Sequence, residues 1–176
     1  MPLDQLRLFF ALWPDDSTRD RVIELSRRLH ADYGGRLVAR ESLHMTLAFL
    51  GETLTSRIPT LEAMGRGITT ASFNLALTHA GGWPGGIVWL APGDPPKELA
   101  ALTTALRVAL QSAGFRFDAK RFVPHMTLLR KAHGKPAEMA IAPLEFAVRD
   151  FVLVRTVPVD SGVRYEVVSR FPLDSG

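Results

Sequence analysis

The sequence predicts an α+β fold of two lobes related by an approximate two-fold axis, each an antiparallel sheet with helices packed outside, around a central cleft. Three observations lead there. The tetrapeptide His-Met-Thr-Leu occupies positions 44–47 and returns at 125–128, 81 residues on (125 − 44 = 81), in a chain of 176 residues with five histidines. Before each copy a proline opens an amphipathic helix, glycine closes it and an extended stretch follows; Pro14 stands 30 residues before His44 (44 − 14 = 30) and Pro96 29 before His125 (125 − 96 = 29). An arginine also stands four residues before each histidine, Arg40 and Arg121. A repeated tetrapeptide can arise by chance, whereas a repeated helix-strand unit points to duplicated structure.

The elements follow in order. "LRLFFALW" reads as a buried strand, and the Pro-Asp-Asp after it starts a helix with negative charge in its first turn. From Asp16 to about Tyr33, Val22, Ser26, Leu29 and Tyr33 keep helical spacing before Gly34-Gly35 supplies the stop. "RLVA" and "LHMTLAFLG" are extended, and "SRIPTLEAMGRGI" is a short helix with its proline near the first turn, where the missing donor is tolerated. "SFNLALTHA" and "GIVWLA" read as strands joined by the hairpin-type loop "GGWPG". "PPKELAALTTALRVALQSAG" is the clearest helix, with an apolar stripe of Leu99, Leu102, Leu106 and Leu110 and Gly114 at its end. Strands follow at "HMTLLRK", "LEFAVRDFVLVRTV" and "RYEVVSRFPL".

Composition narrows the function. At 176 residues, 47% of them hydrophobic and 22% charged, residues 1–176 are expected to form a single bilobal domain with a sizeable core. The apolar run "LFFALW" is far too short to span a bilayer, and a cytoplasmic protein is expected. The absence of cysteine excludes disulfides, thiolate metal sites and cysteine nucleophiles, and agrees with a reducing compartment. A net charge of +3 suits a small anionic substrate or an RNA end better than a long duplex track. There is no H-E-x-x-H, no His/carboxylate cluster and no G-x-S-x-G, so neither a metal nor any other cofactor is expected.

Side chains alternate along a strand, so each histidine shares a face with its threonine while methionine and leucine anchor in the core. A two-fold axis then delivers two imidazoles and two hydroxyls into one cleft. Such a set suits in-line displacement at phosphorus, where the attacking and leaving oxygens lie on opposite sides and each needs a proton moved. Histidine is the side chain most easily poised as base in one copy and acid in the other near neutral pH. The threonines can donate to the non-bridging oxygens, and a nearby arginine can stabilise the charge gathering there.

At these motifs the chain resembles the two-histidine (2H) phosphoesterases, defined by paired His-x-Thr-x motifs with hydrophobic x. "LHMTLAFLGE", "RFVPHMTLLRK" and the opening "RLFFALWPDD" look closest to the RNA 2′,3′-cyclic phosphodiesterase branch, the LigT-like proteins, over nearly the whole chain. The resemblance implies metal-independent hydrolysis of RNA or nucleoside 2′,3′-cyclic phosphates to 2′-phosphomonoesters. In it His44 is the proton donor to the leaving 3′ oxygen, His125 the base that activates water, and Thr46 and Thr127 hold the phosphoryl oxygens. The family's motifs add a phenylalanine and an arginine five residues after the respective histidines, here Phe49 and Arg130. An offset of five points away from the cleft on an ideal strand, so Arg130 reaches a phosphate only if the strand bulges, ends or twists.

Arg121 and Phe122 are further substrate-binding candidates, Phe122 or Trp83 stacking on a terminal base. "GGWPGG" is expected as a flexible hairpin at the cleft mouth. His30, His79 and His133 lack a partner motif and are expected to face solvent or cap turns. Three other readings remain: a related enzyme on 2′–5′ linked oligonucleotides or ADP-ribose cyclic phosphate, a reversible 2′–5′ RNA ligase, and a non-catalytic module that grips RNA ends. The expected partners are RNA ends or nucleotides bearing a 2′,3′-cyclic phosphate, with no membrane and no metal, and the chain is expected to be a monomer.

Overall fold

The computed structural model describes residues 4–175. Strands β1 (Gln5–Leu12), β3 (Met45–Leu54), β8 (Asp150–Val159) and β9 (Gly162–Pro172) form one sheet in the order β3-β1-β8-β9. Strands β2 (Arg36–Leu37), β4 (Phe73–Trp83), β5 (Ile87–Ala91), β6 (Met126–Arg130) and β7 (Met139–Val148) form the other, in the order β2-β6-β5-β4-β7. Every pairing between these strands is antiparallel. Reading β3-β1-β8-β9 against β6-β5-β4-β7 superimposes the roles: β3 and β6 follow the motif histidines and carry the motifs, and β1 and β5 pair beside them. Only β2 lacks a counterpart.

The helices are α1 (Asp16–Tyr33), α2 (Ile58–Arg66) and α3 (Lys97–Ser112). Asp15 caps α1 by accepting the Thr18 amide at 2.7 Å, which satisfies one of the orphan donors of the first turn. The expected stripe of α3 is buried at Leu99, Leu102, Leu106 and Leu110. The helices exchange lobes: α1 leaves a strand of the first sheet yet packs on β2, β6 and β7, while α3 packs on β3 and α2 bridges α3 and β9. Both sheets and all three helices therefore share one continuous core, from Leu8 and Phe10 through Leu102 and Leu128 to Phe151 and Phe171.

Strand β1 is apolar on both faces because both are covered. Leu8, Phe10 and Leu12 point into the main core, while Phe9 and Ala11 join Val152 and Val154 in a second cluster beneath the cleft. The run "LEFAVRDFVLVRTV" departs from the expected single strand. It divides at Arg149 into β7 and β8, which belong to different sheets. The pattern changes at the same point, from alternating burial at Leu144, Phe146 and Val148 to the continuously buried Phe151, Val152, Leu153 and Val154. That is the difference between a strand covered on one face and one covered on both. The "GGWPG" loop is a hairpin between β4 and β5, with Trp83 paired to Ile87 and Gly85 and Gly86 at φ +90° and +78°. Among the described residues, no helix is long and apolar enough to cross a membrane.

Candidate active site

Both histidines stand one residue before their strands, so each ring projects at the strand's entry while the following Met45 or Met126 is fully buried. Each ring is held by the same local bond. His44 Nδ1 donates to the Ser42 carbonyl at 2.7 Å and His125 Nδ1 to the Val123 carbonyl at 2.8 Å, the carbonyl two residues upstream in both cases. That bond fixes the tautomer and leaves Nε2 free to work. At His44, Nε2 accepts from the Thr46 hydroxyl at 3.1 Å, so the histidine and threonine of the motif do share a face.

The two motifs meet. His44, Thr46, His125, Thr127 and Arg130 line one hollow of about 210 Å³, with Trp83 and Ile87 completing its wall. At ~30 Å³ per water this accommodates a phosphoryl group with room for an attacking water. Three grooves lead from it. One of about 260 Å³ runs between Arg36–Ala39 and the β8–β9 turn; one of about 470 Å³ lies over Arg7, Phe9, Phe49 and Tyr165. The third, about 190 Å³, runs along Thr46–Phe49, Arg107 of α3 and the segment before His125, including Lys120, Arg121 and Phe122.

Arg130 reaches the cleft because β6 bulges. Thr127 pairs with Trp89 and Leu129 with Val88, so Leu128 is an extra residue in the ladder. Leu128 and Leu129 are both buried in succession, and Arg130 returns to the face of Thr127. The first motif repeats the device: Thr46 pairs with Ala11 and Ala48 with Phe10, leaving Leu47 extra and returning Phe49 to the cleft. One inserted residue converts an odd offset into an inward-facing one. Gly35, at φ +81°, permits the close approach of β2 to this end of β6, since a Cβ there would lie 2.6 Å from the Arg130 carbonyl oxygen.

The ring environments differ. His44 is enclosed by Phe9 at 4.9 Å, Tyr165 edge-on at 5.2 Å and Trp13 stacked at 6.0 Å and 24°. His125 meets Trp83 edge-on at 4.5 Å. Desolvation by this enclosure pushes the His44 pKa down to about 4, with the Arg130, His125 and Arg19 charges in the same direction and the Ser42 bond opposing. His125 is also lowered, by burial first and then by Arg130, against the Val123 bond.

Not every expected residue stands alike. Phe122 is half-buried and packed against the main core, so only part of its ring reaches the third groove. Arg121 is exposed along that groove. The matched arginines part company: Arg40 turns to α1, bonding Asp20 at 2.6 Å and Asp16 at 3.1 Å. His30 contacts the Gly35 carbonyl, His79 the Thr78 hydroxyl, and His133 is exposed. Phe9, Tyr165, Arg7 and Arg36 join the cleft with no local mark in the sequence, and Trp13, which closes the first apolar run, backs the His44 ring. Among the described residues, no three His, Asp or Glu side chains converge as a metal site requires.

Comparison with known proteins agrees with this geometry. The chain is 33% identical to the RNA 2′,3′-cyclic phosphodiesterase of Escherichia coli K12, over 95% of this chain and 96% of that one. It is 30% identical to the protein of the same name from Archaeoglobus fulgidus, over 94% and 99%. The crystal structure of E. coli LigT in apo form superimposes with a TM-score of 0.86 at 32% identity, covering 97% of this chain and 98% of that one. The crystal structure of TT0787 from Thermus thermophilus gives 0.84 at 26% identity, over 95% and 97%. The 2′-5′ RNA ligase superfamily matches residues 14–160, the span that holds both His-Met-Thr-Leu strands. By sequence, fold and the paired motifs alike, the chain belongs to the 2′-5′ RNA ligase superfamily of two-histidine phosphoesterases.

Proposed function

We propose that the chain is a metal-independent phosphodiesterase that opens RNA or nucleoside 2′,3′-cyclic phosphates to 2′-phosphomonoesters. The observation that carries this reading is the convergence of His44, His125, Thr46, Thr127 and Arg130 on one hollow. Relatives from E. coli, A. fulgidus and T. thermophilus are RNA 2′,3′-cyclic phosphodiesterases, and E. coli LigT has been crystallised with 3′-AMP and with phosphate.

In this reading a water oxygen attacks phosphorus while its proton passes to His125 Nε2. The bond from phosphorus to O3′ breaks, and O3′ takes a proton from His44 Nε2, leaving a 2′-phosphate and a 3′-hydroxyl. Thr46, Thr127 and Arg130 stabilise the non-bridging oxygens as charge builds on them. The Nδ1 bonds to Ser42 and Val123 support both roles, because a backbone acceptor holds the ring in orientation whether Nε2 is protonated or not. Phe49, Arg121 and Phe122 are assigned to the nucleotide beyond the phosphate.

The cleft's charge favours RNA ends. Arg7, Arg36, Arg107, Lys120, Arg121 and Arg130 line the hollow and its grooves, and among the described lining residues Asp118 is the one acid. A chain without cysteine fits the cytoplasm.

Incubation with a 2′,3′-cyclic nucleotide in excess chelator tests the proposal. A 2′-phosphate is the expected product; a 3′-phosphate, or a requirement for added metal, overturns it.

A further inference from the structure

Arg19, on the first turns of α1, is used by neither motif, yet it is only 8% exposed. Among the described residues it forms no ion pair with a carboxylate, and its Nε has no hydrogen-bond partner. Two of its contacts lead to His44. Its Nη2 donates to the carbonyl of Leu43, the residue joined directly to His44, at 3.1 Å. Its guanidinium lies 4.8 Å from the centroid of the Trp13 ring, and Trp13 stacks on the His44 imidazole. Desolvation of the Arg19 guanidinium is unfavourable, the Asp16 and Glu41 carboxylates offset only part of that cost without pairing with it, and the unpartnered Nε adds to it. Substituting an apolar side chain would relieve that cost, unless the cation and its planar fork are needed where they are.

We propose that Arg19 is a positioning residue that fixes the His44 ring through two arms, the Leu43 carbonyl and the Trp13 stack. The first arm holds the backbone from which His44 departs; the second presses a flat aromatic face against the imidazole. Arg40 adds an anchor upstream, tying the turn at Arg40–Ser42 to Asp16 and Asp20 of the same helix. His44 thus stands on a segment fastened to α1 at both ends. The segment before His125 is different: residues 115–125 carry no regular structure, and the Asp118 amide ties them to a strand through the Phe49 carbonyl at 2.9 Å. The helical half of the repeat that precedes His44 carries an arginine five residues after its opening proline, where the other half has Ala101 (14 + 5 = 19; 96 + 5 = 101).

The groups facing His44 are Arg130 and His125 from the second lobe, Arg19 through Trp13, and the ring of Tyr165 from β9. Arg19 therefore acts on the imidazole by placement and by its field, both of which favour a neutral ring until an anion enters.

The proposal rests on His44 being the proton donor, and its test includes a readout independent of turnover. In Arg19→Met, kcat on a 2′,3′-cyclic mononucleotide is expected to fall roughly 10- to 100-fold with KM changed less than about threefold, the signature of a misplaced catalytic group. The His44 titration, followed by NMR on 13C-histidine-labelled protein, is expected to move to higher pH. Arg19→Lys keeps the charge and loses the fork; it should restore the titration and only part of kcat. If Arg19→Met does not fold, Arg19→Lys decides alone, by whether kcat drops while KM holds. Combining either variant with Trp13→Ala should cost little beyond the worse single change. Wild-type kcat in the folded variants, or an unmoved His44 titration in Arg19→Met, overturns the assignment. Absence of phosphodiesterase activity in the wild type would instead refute the function proposed above and leave the titration result to judge Arg19.

Discussion

His44 and His125 share one backbone anchor and differ in enclosure, and the difference sets the pH behaviour. A His44 pKa of about 4 leaves roughly one ring in a thousand protonated at neutrality. The productive form of the free enzyme needs His44 protonated and His125 neutral. Both groups are lowered from 6.5, so both limbs of the kcat/KM profile are expected below 6.5, giving a bell on the acid side of neutrality. A bound phosphoryl anion favours the charged rings, so the kcat profile should lie at higher pH than the kcat/KM profile. Steady-state kinetics across pH checks this; a kcat/KM maximum above 7 would contradict it. Replacing His44 or His125 by alanine should each cost about 10²–10⁴-fold in kcat, and the double variant little more, because the pair works as a unit. The histidines and threonines were legible because each motif is local and repeated. Trp13, Tyr165 and Arg19 were not: they come from two segments far from the motif, the β1–α1 junction and β9, and nothing in their immediate neighbours distinguishes them from ordinary core residues.

The strand with one inserted residue is the unit that builds the site. Had β6 run as a regular strand with Leu128 paired in the ladder, Arg130 would face the core and Leu129 the phosphate. The sequence carries a faint trace of the bulge, the apolar pairs Leu47-Ala48 and Leu128-Leu129 in place of strict alternation, but such pairs also occur in strands buried on both faces. The same ambiguity hid the division of "LEFAVRDFVLVRTV", because assigning strands to sheets needs the partner strands. Helices were easier, since proline openings, glycine stops and leucine stripes are all local. Gly34-Gly35 read as a helix stop, and the structure adds that Gly35 lets β2 close on Arg130. Gly35→Ala should therefore cost ~1–3 kcal/mol, from the left-handed φ and the clash with the Arg130 carbonyl. Denaturant unfolding measures that loss. Activity measured well below the new midpoint should fall as well, because the displaced backbone carries Arg130.

Over the whole molecule, charge is nearly balanced, with 21 basic and 18 acidic residues, yet six basic residues line the cleft and its grooves against the single acid Asp118 among the described lining residues. The fold accounts for the focusing. Lobe exchange by the helices puts both motif strands against one core, and the two-fold axis then opens a groove on each flank: the segment before His44 faces Thr127 and Arg130, and the segment before His125 faces Thr46 and Phe49. The symmetry is broken in their linings. Both are apolar in part, but the first carries Arg36 and Arg130 beside Tyr165, while the second carries Arg107, Lys120 and Arg121 beside Phe49 and Phe122. Such a field should attract a polyanion more than a mononucleotide, and it should weaken with salt. An RNA oligonucleotide ending in a 2′,3′-cyclic phosphate is thus expected to have a higher kcat/KM than the cyclic mononucleotide at low ionic strength, with the advantage shrinking as salt rises. If Arg121 meets a backbone phosphate, Arg121→Ala should lower the log-log salt slope for the oligonucleotide by about 0.7, the value for one single-strand contact. Its kcat/KM for the mononucleotide should change far less, because Arg121 lies in the groove beyond the hollow that holds the reacting phosphorus. Equal losses on both substrates would place Arg121 at the phosphorus itself; no loss on either would leave the second groove without a nucleic-acid role.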